Sequence, residues 1–332
     1  MKYDVITIGG IVRDFTFYIQ EGEISNDNFI FPLDSKILVK QAYFTNGGGA
    51  NNVAVGLARF GLKVALVGRI GHDFSGQAIL KNLRKNKIET KFIQTDKKLH
   101  TGVSVIIQQE KRGKILFTHR GANEKLKFET RDLKFKTKWI YLASLTGEWQ
   151  KILERVFSMQ EGDVRISPRP VRVGPRIVWN PGTAQLVAGR KKLTKFLKQT
   201  SVLILNRHEA AQLVNSKFEI RNPKQIQNLK SQISKLLLKI YKLGPKIVAI
   251  TAGNQGAYIY DGQRFYYQSA KNKRPKDTTG AGDAFSSGFL AGLVLFDDIK
   301  KALRLGILNS GAVIQKVGAQ EGLLDKKNLR NL

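Results

Sequence analysis

Short apolar runs rich in Val, Ile and Leu recur along the chain at residues 4–8, 63–67, 139–142, 176–179, 202–205 and 246–251. They are nearly continuous rather than alternating, which is the pattern of strands covered on both faces of a parallel sheet. Between them, apolar positions at helical spacing mark 51–60, 76–85, 209–213 and 225–241 as helices. Strand and helix in alternation predict an α/β protein of three layers, α/β/α, around a mostly parallel central sheet.

Two stretches interrupt the alternation. Residues 15–45 and 92–118 read as extended strands with turns, and 103–108 and 114–118 flank Arg112-Gly113 as the arms of a hairpin would. Together they predict a small β-sheet lid beside a core made of 1–14, 46–91 and 119–332, within a single unit of 332 residues. An arginine- and proline-rich segment, 165–176, reads as an exposed loop. No repeat and no low-complexity linker divides the chain.

Composition narrows the picture. With 42% hydrophobic residues the chain can bury a sizeable core. Cysteine is absent, which excludes disulfides and thiolate metal sites, and with only 4 histidines a histidine-built metal centre is not expected. The first residues run directly into strand 4–8, unlike a signal peptide. The longest nearly apolar run, 284–296, falls short of the ~20 residues that span a bilayer. A soluble, cytoplasmic protein without a membrane partner is the expectation. Lys and Arg number 56 against 26 Asp and Glu, a formal charge of +30. The basic residues are spread along the chain and follow no nucleic-acid motif, so an RNA or DNA partner is not the favoured reading. The positive field would still draw in anionic small molecules such as ATP.

The candidate chemistry lies at 277–283, DTTGAGD, immediately before 284–296. Small residues at a helix start leave main-chain N–H groups without internal partners, where the helix dipole favours negative charge. Such a corner suits a phosphoryl group in transfer. Asp283 stands there either as a base for an attacking hydroxyl or as a helix cap. Neither a GxxxxGK[ST] loop nor a GxGxxG fingerprint occurs, which removes weight from P-loop and dinucleotide enzymes.

At these residues the chain resembles the ribokinase-like (PfkB) carbohydrate kinases. DTTGAGD with Ala284-Phe285 resembles their C-terminal signature; NGGGANNVAV (46–55) and GLKVALVGRIG (61–71) resemble the N-terminal one. Arg13-Asp14, Gly121-Ala122-Asn123, Asn206 with Glu209, Thr251 to Gly256 and Gly318-Ala319 extend the match. The resemblance implies a ribokinase-like fold and transfer of the γ-phosphate of ATP, with Mg2+, to a hydroxyl of a small sugar. It makes Asp283 the catalytic base and the N–H groups of Gly280, Ala281 and Gly282 the anion hole. It gives sugar hydroxyls to Asp14, Gly47, Gly48, Gly49 and Asn51. It lines the ATP site with Asn206, Thr251, Gly253 and Gly256, sets Asn309 beside the adenine, and assigns Glu209 to Mg2+ through water. Asp277 and Thr279 resemble the potassium ligands of ribokinases, with carbonyls near Val313, Lys316 and Gly318, although many members of the family lack this cation. A homodimer through the lid is also implied.

The departures concern the substrate. Where ribokinases carry a substrate-contacting Glu, this chain has Thr146 or Gly147, and a potassium-site position that can carry a hydroxyl is Gly322. A basic residue for an already phosphorylated sugar could come from Arg13, Arg120 or the 165–176 loop. A nucleoside kinase on the same fold would use Phe15, Phe17 and Tyr43 around a base. A third alternative, suggested by the charge, is a non-catalytic nucleic-acid-binding or regulatory protein.

Overall fold

The computed structural model describes residues 2–20, 22–25, 28–109, 113–128, 136–160, 163–164, 171–172, 174–215, 229–270 and 274–331. Arg112 of the expected turn, most of the 165–176 loop, and the start of the expected helix 225–241 lie outside the described residues.

The strands in chain order are Lys2–Ile8 (β1), Val12–Ile19 (β2), Glu23–Ser25 (β3), Asn28–Ile30 (β4), Val39–Gly47 (β5), Val64–Gly71 (β6), Ile93–Asp96 (β7), Gly102–Gln109 (β8), Gly113–His119 (β9), Lys136–Leu142 (β10), Asp163–Val164 (β11), Val171–Arg172 (β12), Arg176–Trp179 (β13), Val202–Asn206 (β14), Ile247–Thr251 (β15), Ala257–Tyr260 (β16) and Phe265–Gln268 (β17). The helices are Gly49–Arg59 (α1), Phe74–Lys85 (α2), Trp149–Ser158 (α3), Thr183–Val187 (α4), Arg190–Leu197 (α5), Arg207–Leu213 (α6), Leu229–Tyr241 (α7), Ala281–Phe296 (α8) and Ile299–Val313 (α9).

The main sheet has the order β17-β16-β15-β14-β13-β10-β1-β6-β7. Its strands from β15 to β7 run parallel, and β16 and β17 add an antiparallel edge. The apolar runs read from the sequence form six of these strands. Side chains alternate across the sheet, so β1 sends Val5 to one face and Ile6 and Ile8 to the other. One face packs against α1, α2, α8 and α9, the other against α3, α5, α6 and α7. The three layers therefore enclose two cores.

A second sheet has the order β5-β2-β8-β9, with β2 and β8 parallel and the outer pairs antiparallel. The hairpin expected from 103–108 and 114–118 is the β8–β9 pair. Two boundaries differ from the sequence reading. Residues 93–96, expected in the lid stretch, pair with β6 and close one edge of the main sheet. Their polar pattern misled: Gln94 and Asp96 are buried because Arg69 bonds both, at 3.1 and 2.8 Å. Residues 12–14, expected in the core, begin the small-sheet strand β2.

Close contacts set the position of α8. A Cβ on Gly292 would collide with the Ala302 backbone of α9, and one on Gly56 of α1 would collide with Ser287. A Cβ on Gly306 of α9 would come within 2.9 Å of Phe285. Backbones this close leave α8 little freedom to shift, which fixes its first turn relative to both sheets. Among the described residues no helix is long and apolar enough to cross a membrane. Gly292→Ala is expected to lower stability by about 1–3 kcal/mol, the usual cost of overpacking a tight contact. A denaturant midpoint equal to that of the parent protein would show that α8 and α9 can part at no cost.

Candidate active site

The loop before α8 is held by one buried carboxylate. Asp277 is 2% exposed and accepts the N–H of Thr279 at 2.8 Å and of Gly318 at 3.0 Å. The Ile314 carbonyl accepts the N–H of Lys276 at 2.8 Å. The chain then turns through Gly280 at φ 75°, where a Cβ would also collide with Ala319. The helix start leaves the N–H groups of Gly282 and Asp283 without an intrahelical acceptor. Ala281, expected in the same anion hole, instead makes a 3.3 Å turn bond to the Thr278 carbonyl. A Cβ on Gly282 would meet nothing within 4 Å. The space over this residue is therefore left open, and packing alone does not require glycine there.

Asp283 lies where two cavities meet. The first, about 280 Å³, is covered by the small sheet and lined by Asp14, Asn52, Ser104, Thr118, Arg120 and Thr146 with Gly48, Gly49 and aliphatic side chains. The second, about 240 Å³, is lined by Asn206, Glu209, Thr251 and residues 280–283. A third, about 290 Å³, adjoins it and is more apolar, with Phe285, Ile307 and Ile314 facing Thr251, Gly253 and Gly256. Asp283 and Gly280 belong to both the first and the second. Burial pushes the Asp283 carboxyl up, and the Asn52 amide, donating to Oδ2 at 2.8 Å, opposes that shift.

The small sheet contributes a polar row. Asp14, Ser104 and Thr118 are register partners on β2, β8 and β9, so their side chains share the face over the first cavity. Burial, with the negative charges of Asp283 and Asp277 adding to it, pushes Asp14 up to about 6; Ser104 and Arg13 act the other way. Arg13 itself is turned away, its guanidinium bonding Asn46 at 2.6 Å and the Phe44 carbonyl at 2.9 Å. Arg120 lines the cavity, whereas 165–170 and 173 lie outside the described residues.

The glycines 47–49 divide their work. Gly48 and Gly49 line the cavity, and Gly48 at φ 93° lies so close to Gly10 that a side chain is excluded. A Cβ on Gly47 would collide with the Asp14 carboxylate, so this residue makes room for Asp14. Asn51, expected to hold sugar hydroxyls, is fully buried and its amide bonds back to the Gly47 carbonyl at 2.9 Å. Its neighbour Asn52 is the one that reaches the cavity, one helix position further round. At the position where Thr146 or Gly147 was expected, Thr146 faces the cavity, and Gly147 is packed on the Glu124 carbonyl.

In the second cavity the predicted pair also caps α6. Asn206 Oδ1 accepts the N–H groups of His208 and Glu209 at 2.9 and 3.0 Å, and Glu209 Oε2 accepts that of Asn206 at 2.8 Å. Burial pushes the Glu209 carboxyl up, with the charge of Asp283 in support. Asn309, expected beside an adenine, is fully buried: it donates to the Ala284 carbonyl at 2.8 Å and accepts from Leu324 at 2.9 Å. Ser310 and Gly311 line the third cavity in its place.

At the expected potassium corner, Asp277, Thr279 and Gly318 do meet, and the Val313 carbonyl accepts the Lys316 N–H at 3.1 Å. A side chain not anticipated from the sequence completes it. Lys114, on β9, donates to Thr279 Oγ1 at 2.9 Å and lies 3.6 Å from Asp277 Oδ1. Both oxygens of Asp277 thus hold N–H donors beside an ammonium group. Asn52, Ser104 and Thr118 likewise escaped the sequence reading; only the strand register brings the last two together.

Comparison with known proteins identifies the family and the fold. The profile of the pfkB family carbohydrate kinases matches residues 19–327. A sugar kinase of Archaeoglobus fulgidus is 27% identical over 269 residues, covering 81% of this chain and 98% of that protein. The structure of Arabidopsis thaliana ribokinase complexed with ribose and ATP superposes with a TM-score of 0.80 at 21% identity, covering 100% of this chain and 98% of that one. The Methanocaldococcus jannaschii nucleoside kinase, described as an archaeal member of the ribokinase family, gives 0.76 at 22% identity, covering 99% and 98%.

A pH dependence follows from Asp14. Its carboxyl, pushed by burial up to about 6, stands above the ordinary aspartate value of 3.8, so the folded state holds the proton more tightly. Its contribution to the stability of the free protein is therefore lost as pH rises from about 4 through about 6. A polyol that donates hydroxyls to the ionised carboxylate should behave oppositely, binding about tenfold more tightly at pH 7 than at pH 5. Calorimetric titration across that range checks this, and Asp14→Asn should flatten the dependence.

Proposed function

The chain belongs to the pfkB family of carbohydrate kinases, and from that premise we propose that it transfers the γ-phosphate of ATP to a hydroxyl of a small sugar bound under the small sheet. The observation that carries this reading is the place of Asp283, common to a cavity of sugar size that carries the polar row Asp14, Ser104 and Thr118 and to a cavity walled by a helix start.

The acceptor lies in the first cavity, its hydroxyls donating to Asp14 and one of them to Asp283. Asp283 takes the proton of that hydroxyl as its oxygen attacks the γ-phosphorus and the bond to the ADP oxygen breaks. The charge on the transferring phosphoryl oxygens faces the free N–H groups at the start of α8 and the positive end of its dipole. The adenine fits the apolar third cavity between Gly253, Ile307 and Ile314. Glu209, in the phosphate cavity with one oxygen engaged by Asn206, suits the water shell of a Mg2+ ion. That ion, when bound to the nucleotide, neutralises phosphate charge. The residues at Asp277 fit a potassium ion poorly, since N–H donors and Lys114 already engage the carboxylate.

The small sheet serves as the lid that excludes water from the transfer. Its outer face carries the register row Phe44, Phe15, Val105 and Phe117, with Phe44 56% and Phe117 53% exposed. That apolar row is the surface through which we assign a homodimer. A cytoplasmic location is proposed with the reaction, since it is there that ATP is supplied.

ADP release with a panel of sugars, sugar phosphates and nucleosides tests the reading, and small sugars are expected to be consumed in preference to nucleosides. Asp283→Asn is expected to reduce kcat by about 10²–10⁴-fold, the usual contribution of a positioned base. ATP binding should stay within about threefold of the parent, because Asn has nearly the same shape as Asp and the rest of the second and third cavities is unchanged. A variant with near-parental kcat would remove Asp283 from that role.

A further inference from the structure

A file of four carboxamides leads from the C-terminal end of α2 to Asp283. Asn86 Nδ2 donates to the Asn82 main-chain carbonyl at 2.9 Å and lies 3.4 Å from Asn82 Oδ1, and Asn82 Nδ2 donates to Gln320 Oε1 at 2.9 Å. Gln320 Nε2 donates to Asn52 Oδ1 at 2.9 Å, and Asn52 Nδ2 donates to Asp283 Oδ2 at 2.8 Å. Every amide points its NH2 group towards the carboxylate. Asn52 and Gln320 are each 4% exposed, so water does not compete for the inner bonds. The participants come from α2, the segment after α9, α1 and α8, and Gln320 lines none of the three cavities.

The direction is enforced chemically. An ionised carboxylate only accepts, so Asn52 must present its NH2 group and keep its oxygen for Gln320. Gln320 must then donate inward and accept from Asn82. The setting explains why such a donor is needed. The charges of Asp14 on β2 and Glu209 on α6 both interact with that of Asp283, and the buried Tyr141 hydroxyl on β10 stays neutral beside it. The cations of the neighbourhood, Arg120 and Lys114, belong to the small-sheet side. A buried carboxyl among like charges tends to hold its proton, and a protonated acid is no base. A charge-assisted bond at the end of a polarised amide chain favours the ionised form.

We propose that Gln320, acting through Asn52, is a positioning residue for the kinase reaction: the amide file pins Oδ2 of Asp283 and leaves Oδ1 for the acceptor hydroxyl. The inference rests on the kinase reading above, but one arm of its test does not require turnover. In Gln320→Met the 13C carboxyl resonance of Asp283 should titrate about one pH unit higher than in the parent protein. In turnover, kcat should fall about tenfold with its acid limb displaced upward and KM for ATP unchanged. Gln320→Glu, closer in shape but unable when ionised to donate to Asn52, should lose more than Gln320→Met. A merely structural role predicts the reverse order and a pH profile of unchanged shape. Asn82→Ala, further from the core, should give a smaller shift in the same direction and serves where the other variants fold poorly. An unshifted Asp283 titration in the folded variants would overturn the proposal, whereas absence of kinase activity with a shifted titration would count only against the proposed function.

Discussion

A carboxyl group with almost no access to water must find hydrogen-bond donors within the protein, and Asp277 is such a group. The N–H groups of Thr279 and Gly318 supply them, and in doing so they tie the start of α8 to the segment that follows α9. Gly280 can then turn at positive φ against Ala319, and the first turn of α8 opens onto the second cavity. The glycine contacts further along α8 hold the other end. The site's electrostatics depend on this arrangement, because an anion hole built from main chain works only if the main chain cannot drift away from the anion.

Around that fixed corner the protein concentrates acids that resist ionisation. Asp14, Asp283 and Glu209 are all pushed up, chiefly by burial, within a chain whose formal charge is +30. The strain is local and purposeful on the proposed reading. Sugar hydroxyls donate to Asp14, the nucleotide brings a cation to Glu209, and the amide file donates to Asp283, so each acid meets a partner suited to it. Lys114 links this corner to the small sheet through Thr279. That bond is a direct contact between the cover of the first cavity and the loop that starts α8.

Much of this was legible in the sequence. The apolar runs fixed the parallel strands because burial on both faces leaves little room for polar residues, and DTTGAGD announced the helix start with its acid. What escaped the sequence depends on register or on a turn of one helix position. Asn51 and Asn52 are adjacent, and only the orientation of α1 decides which reaches the cavity. Asn309 had the right helix but faces inward. Residues 93–96 look like lid because an edge strand bonded to Arg69 tolerates Gln and Asp. Lys114 and Gln320 carry no local signature; each acquires its meaning from partners more than a hundred positions away.

The parity of the small sheet also bears on what the cavity accepts. Asp14 faces the cavity, so its neighbours Phe15 and Phe17 face away, and Phe15 packs edge-on against Phe44 at 5.3 Å. Tyr43 turns its ring to Tyr18 at 5.8 Å and is not part of the cavity wall. Among the described residues the wall carries Val12, Ile106, Leu116, Leu126 and Leu145 but no aromatic ring. On the proposed reading a polyol finds acceptors at Asp14 and Asp283 and hydroxyl partners at Ser104, Thr118 and Thr146, while a nucleobase finds no aromatic ring to stack on among the described wall residues. Shifting β2 by a single residue would exchange the polar row for the phenylalanines, so the character of this cavity is written in the strand register as much as in the residues themselves.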